Sequence, residues 1–365
     1  MRRPGLPSVG PNAETESWLL KRGYALAGSA GTGRGWVVHD AVVSNLALLD
    51  AMAARYGHPK RVVAWGGSFG AMVAAALMEA APQRIAGAFT MCGAVMNPLV
   101  FLDTEMDGAF ALTRSIASLQ RLRLDGTDDV QGAQAVLRSA VSQAQATPQG
   151  RARLSLAAAV MDFSGWIPPQ SSEPVDPEAI ERGQESALAD FVYGFLAVQA
   201  RTRTALNANP VGNEDISYRR LLQASRYRSE VVAMYERAGL SRDGDLIRLD
   251  SMPRIHADTQ AIEELRRWHT FTGRLSAPFL MLESTGDDWL VEAHREYADL
   301  VRRAGREQLL RQLWVKRAGH CPFTGPEVQA ALSTLIERLD SDGWDSSPMF
   351  SDFMPDRLPR AVLAG

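Results

Sequence analysis

The sequence predicts an α/β protein, a mostly parallel sheet flanked by helices and interrupted by a large helical insertion. Apolar strand-like runs alternate with helix-period segments over the first hundred or so residues, and the alternation resumes from Pro278 to Leu339. Between them, from Asn97 to about Arg274, only helical periodicity is visible. Such alternation implies right-handed crossovers between parallel strands, whose carboxyl ends form the edge where ligands bind.

The elements follow in order. After a start rich in proline and glycine, Glu14 to Lys21 reads as a short helix stopped by Gly23. Tyr24 to Gly28 reads as a short buried strand, followed by a glycine-rich loop to Gly35. Val37 to Tyr56 places Val38, Val42, Leu46, Leu49 and Met52 on one helical face and ends at Gly57-His58-Pro59. Arg61 to Trp65 is a strand, Ala71 to Leu77 a helix of small apolar residues, and Ile85 to Met91 another strand. The insertion holds helical segments at Ala109 to Leu122, Ala133 to Ala144, Arg151 to Met161, Glu178 to Ala205 and Ser217 to Ala238. Pro278 to Glu283 and Leu309 to Val315 then read as strands, Glu292 to Ala304 and Gly325 to Leu339 as helices. This organisation sets a core at 1–95 and 275–345, a helical cap at 96–274 and a surface tail at 346–365.

Composition excludes several classes. The 365 residues are 46% hydrophobic and 22% charged with a formal net charge of -3, so no basic face for nucleic acid is expected. The chain lacks the run of about 18 apolar residues that a membrane-spanning helix needs. Met1 to Pro7 is basic without a following apolar stretch, so no signal peptide is read; the chain is cytoplasmic as written, exported if its natural start lies upstream. The two cysteines, Cys92 and Cys321, are too few for a disulfide scaffold or a zinc cage, and no histidine stands at metal-ligand spacing. A dinucleotide loop at Gly28 to Gly33 would need an acid at the end of a second strand, whereas Asp50 sits within a helix pattern. No metal and no cofactor is therefore expected.

Gly66-Gly67-Ser68-Phe69-Gly70 lies between a strand and a helix. A sharp turn there projects the serine hydroxyl while glycines let the flanking chains pass. A serine needs an imidazole base and a carboxylate to orient it. After the resumed strand comes Thr285-Gly286-Asp287-Asp288-Trp289-Leu290-Val291, and after the next strand Gly319-His320-Cys321. All three loops follow strands and so share one sheet edge. Either aspartate could be the acid. Cys92 and Cys321 also fall on this edge, where a disulfide pinning the histidine loop and two buried thiols both fit.

With this order of serine, acid and histidine, the chain resembles the α/β-hydrolase superfamily over about residues 13–95 and 275–340. Gly23-Tyr24-Ala25-Leu26-Ala27-Gly28, Trp65 to Gly70, Met91-Cys92-Gly93 and Arg317 to Cys321 look like a bacterial group of esterase or peptidase-like hydrolases with a helical cap. The resemblance implies a serine hydrolase that uses Ser68, His320 and Asp288, with Phe69 N–H as one oxyanion donor, acting on a small-molecule ester or, secondarily, an amide or peptide. It also implies an earlier strand and a His-Gly loop carrying the second donor, which are missing before Tyr24; Gly5 to Pro11 is the candidate substitute. A catalytically weak relative serving as a binding protein, and an acyltransferase, share the same pattern.

Overall fold

In a computed structural model the described residues are 9–30, 38–93, 95–125, 129–287, 291–344, 349–351, 353–355 and 359. In chain order the elements are α1 (Ala13–Lys21), α2 (Val38–Tyr56), β1 (Val63–Gly67), α3 (Phe69–Ala80), β2 (Gly87–Met91), α4 (Pro98–Ser115), α5 (Val130–Gln145), α6 (Pro148–Ala159), α7 (Pro177–Leu206), α8 (Tyr218–Ala224), α9 (Arg228–Ala238), α10 (Arg242–Ser251), α11 (Thr259–His269), β3 (Phe279–Gly286), α12 (Ala293–Arg303), β4 (Leu310–Ala318) and α13 (Gly325–Asp340). They form two compact units. The first holds the described residues of Met1–Gly33, Val37–Met96 and Trp268–Pro355; the second is built on Asn97–Arg267.

The first unit contains the sheet, four parallel strands in the spatial order β1-β2-β3-β4. Val63 pairs with Gly87, Ala88 with Phe279 and Phe279 with Leu310, so the strand ends lie level. On one face Phe89, Met91, Leu280, Leu282, Leu313 and Val315 pack with Leu19 of α1 and Val328, Leu332 and Leu335 of α13. At roughly 25 cal/mol per Å² of apolar surface, each of the large side chains contributes about 1.5–3 kcal/mol. On the other face Phe279 meets Tyr297 of α12 edge to face, ring centroids 5.6 Å apart. Small residues bring α3 close to the strands: a side chain on Gly93 would strike Ala71 at 2.2 Å.

Two expectations need correction. Among the described residues, Tyr24 to Gly28 joins no ladder. Tyr24 and Leu26 alternate inward and pack on the sheet core, so the period-two pattern reports side-chain burial without backbone pairing. The helix read over Ser217 to Ala238 breaks at Ser225. Its hydroxyl and the N–H of Arg226 both donate to Asp162, which pulls the chain out of helical geometry between α8 and α9.

Among its described residues the second unit holds helices and no strand. Side-chain oxygens of Asn97, Asp129, Thr147, Asp176, Ser217 and Ser241 cap the starts of α4 to α8 and α10. Asn207 ends α7 in the left-handed region at φ 52°. Among the described residues no helix is long and apolar enough to cross a membrane.

Candidate active site

Ser68 stands between β1 and α3 with φ 54° and ψ -126°, a backbone position that few non-glycine residues occupy. The turn is tight enough that a Cβ on Gly66 would lie 1.9 Å from the carbonyl oxygen of Gly70. Only glycine fits at 66. Gly70, by contrast, has open space around its own Cβ direction. The N–H of Ser68 donates to the carbonyl of Met91 at 3.0 Å, tying the turn to the end of β2. Phe69 is the first residue of α3, at the positive end of the helix dipole.

The other two strands deliver an acid and a base to the same edge. β3 ends at Gly286, which pairs with Ala318 of β4, and the N–H of Gly319 donates to the carbonyl of Gly286 at 2.8 Å. This register sets Asp287 beside the loop of His320. His320 Nδ1 lies 2.8 and 3.1 Å from the two carboxylate oxygens of Asp287, and its Nε2 lies 2.9 Å from Ser68 Oγ. A carboxylate only accepts, so Nδ1 carries the proton, and in the neutral imidazole Nε2 accepts from the serine hydroxyl. Asp287 is fully buried, whereas the His320 side chain is about one-third exposed.

Thus the structure brings Ser68, His320 and the carboxylate of Asp287 together, Asp287 being the alternative acid to the favoured Asp288. Asp288 falls outside the described residues. Asp287 is the first residue past the strand end, and the Gly286–Ala318 pairing places that residue against the histidine loop. The segment Gly5 to Pro11 lies mostly outside the described residues as well.

The histidine loop is held at several points. Cys92 and Cys321 form a disulfide, Cα atoms 5.1 Å apart, that fastens the residue after His320 to the end of β2. Both cysteines have positive φ, 43° and 57°. Arg317 forks onto Glu327 with two 2.8 Å contacts and donates to the carbonyl of Pro322 at 2.6 Å. Glu327 and Thr324 complete a capping box at the start of α13. Burial pushes the Glu327 carboxyl up, but the hydrogen bonds from Arg317 and Thr324 outweigh it and hold the group below the usual range.

Cys92, His320 and Cys321 gather metal-ligating residue types within 4.8 Å. Their sulfurs are spent in the disulfide and the imidazole nitrogens face Asp287 and Ser68, so this donor set does not suit a metal. Asp50 lies in α2, where it pairs with Arg84 at 2.7 Å. A cleft of about 650 Å³ opens at the opposite ends of the strands, lined by Lys60, Arg61, Arg84 and Arg338. Arg61 and Arg84 are already paired with Asp340 and Asp50, and no part of the Ser68 cluster lines it.

Two residues of interest were missed in the sequence. Glu283 of β3 and His294 of α12 are fully buried, with His294 Nε2 3.0 Å from Glu283 Oε2. The available signal was a carboxylate inside an otherwise apolar strand, Phe279-Leu280-Met281-Leu282-Glu283.

An o-phthalyl amidase from Xanthobacter agilis is 31% identical over 372 residues, an alignment spanning 92% of this chain and 81% of the amidase. The chain is an α/β-hydrolase. No protein-family model matches it. Solved structures similar to the hydrolase include a carboxylesterase of Nitrososphaera gargenis, 11% identical, covering 90% of this chain and 86% of that one, TM-score 0.37. A putative non-heme bromoperoxidase of Mycobacterium tuberculosis is 18% identical, covering 83% and 75%, TM-score 0.29. The hydrolase acts on ester or amide bonds.

Proposed function

We propose that this hydrolase cleaves its substrate through an acyl-enzyme, with Ser68 as nucleophile, His320 as general base and acid, and Asp287 as the group that orients the imidazole. The observation that carries this is the continuous chain of contacts Asp287–His320–Ser68, each at 2.8–2.9 Å at its shortest. Ser68 Oγ attacks the carbonyl carbon as its proton passes to His320 Nε2. Asp287 stabilises the imidazolium without taking its proton. The tetrahedral oxyanion forms next to the Phe69 N–H at the start of α3, where the helix dipole favours negative charge. Collapse expels the amine or alcohol, which leaves with the proton from His320. Water then attacks the acyl-enzyme by the same route, returning Ser68 and releasing the acid.

For the substrate, the amidase relative outweighs the preference for esters that the sequence resemblance implied. The proposed substrate is an amide of an aromatic carboxylic acid, of the o-phthalyl type that the relative's name describes, with esters of the same acyl group also accepted. Labelling with a fluorophosphonate tests the nucleophile: the wild type is labelled while folded and Ser68→Ala is not. Turnover of a phthalyl amide against p-nitrophenyl esters of matched size tests the leaving group. Labelling that survives Ser68→Ala would refute the mechanism.

A further inference from the structure

Behind the Ser68 cluster, β3 buries a carboxyl group that the mechanism above does not use. Glu283 lies four residues before Asp287, and His294 seven residues after it, as the second residue of α12. Their contact therefore closes the stem of the loop that carries Asp287. Glu283 is paired across the sheet with Trp314, whose ring meets His294 edge to face at 5.5 Å, and the carbonyl of His294 accepts from Gln312 at 2.9 Å. The Glu283 carboxyl also faces the backbone N–H groups of Gly93 and Cys92, in the loop that the disulfide joins to Cys321. One side chain thus contacts His294 at the stem of the acid loop and lies beside the Cys92–Gly93 loop that anchors the histidine loop.

We infer that Glu283 and His294 are positioning residues that hold Asp287 and, through the Cys92 loop, His320 in register for proton transfer. This rests on the triad reading. Charge states fit the role. Burial, and then the negative charge of Asp287, drives the Glu283 carboxyl well above its ordinary range. Burial holds His294 down to about 4 against an ordinary 6.5. Both shifts favour the uncharged forms of the buried pair. The groups facing the pair are Asp287, His320, the Trp314 ring and the two backbone N–H groups. Neither oxygen of Glu283 nor either nitrogen of His294 reaches full hydrogen-bond geometry, so the pair is sensitive to small shifts of the loop stem.

The experiment compares Glu283→Gln, Glu283→Leu and His294→Leu with wild type and Ser68→Ala, using the fluorophosphonate and steady-state turnover. Glu283→Gln keeps a neutral group of the same shape and is expected to retain activity within about twofold. The two leucine variants are expected to lose about 10- to 100-fold in kcat, the scale of a small misplacement of catalytic groups, with KM unchanged and labelling slowed by the same factor. Loss of activity that only follows the folded fraction, or leucine variants within twofold of wild type per folded molecule, would overturn the inference. If the leucine variants do not fold, Glu283→Asp, one methylene shorter, is expected to lose kcat where Glu283→Gln does not; equal activity overturns it. Absence of Ser68-dependent labelling in the wild type would instead refute the triad reading.

Discussion

Opening the Cys92–Cys321 bond is expected to destabilise the hydrolase and to slow it, by two separable routes. The bridge spans 229 residues of sequence. Loop-closure entropy for a span of that size gives a ceiling of about 5 kcal/mol at 25 °C, and losses of about 2–5 kcal/mol are usual for native bridges. For a chain of this length that corresponds to a fall in Tm of about 3–7 °C. The catalytic effect arises locally, because Cys321 adjoins His320 and sits at φ 57°. Without the bond the loop is still held by Arg317 on Glu327 and Pro322. Turnover should therefore fall, by about tenfold, rather than vanish. Calorimetry and turnover of Cys92→Ser and Cys321→Ser, beside wild type with and without a dithiol reductant, read both effects. The denatured, non-reduced protein should show no titratable thiol. Two thiols would refute the bond, and an intact bond whose removal leaves Tm unchanged would refute the entropic reasoning.

Asp287→Asn should lower kcat by about 10⁴-fold by imposing the wrong imidazole tautomer, while Asp288→Asn leaves kcat nearly unchanged; the reverse order in single-turnover assays would return the acid role to Asp288. Gly66→Ala should abolish Ser68 labelling or folding, since its Cβ would meet the Gly70 carbonyl at 1.9 Å, whereas Gly70→Ala should fold and be labelled. His294 is buried neutral, its value lowered from 6.5 to about 4, so its contribution to stability is complete above pH 6.5 and is lost as pH falls towards 4. Unfolding free energies in urea, taken as wild type minus His294→Leu, should fall by on the order of 3 kcal/mol over that interval; a flat difference would show that the imidazole is not buried in its neutral form.

What could be read from the amino-acid order alone was whatever a few neighbouring residues determine. The elbow at Ser68 is of this kind, since Gly66 is required by contacts within the same turn. His320 follows a strand and a single loop glycine, Gly319, with positive φ, again a local pattern. The choice between Asp287 and Asp288 is different in nature. It depends on the pairing of β3 with β4, which shifts between Ser284 and Gly286 before Gly286 meets Ala318. Nothing local to Gly286-Asp287-Asp288 encodes that register. Tyr24 to Gly28 shows the converse limit: alternation records which side chains turn inward, while a strand also needs a partner backbone. Glu283 and His294 combine both difficulties. Each alone looks like an odd polar residue in an apolar setting, and the pair acquires meaning only when β3, α12 and the Cys92 loop converge on it. The chemistry of the edge is thus written in local turns, and its alignment in contacts between strands about thirty residues apart.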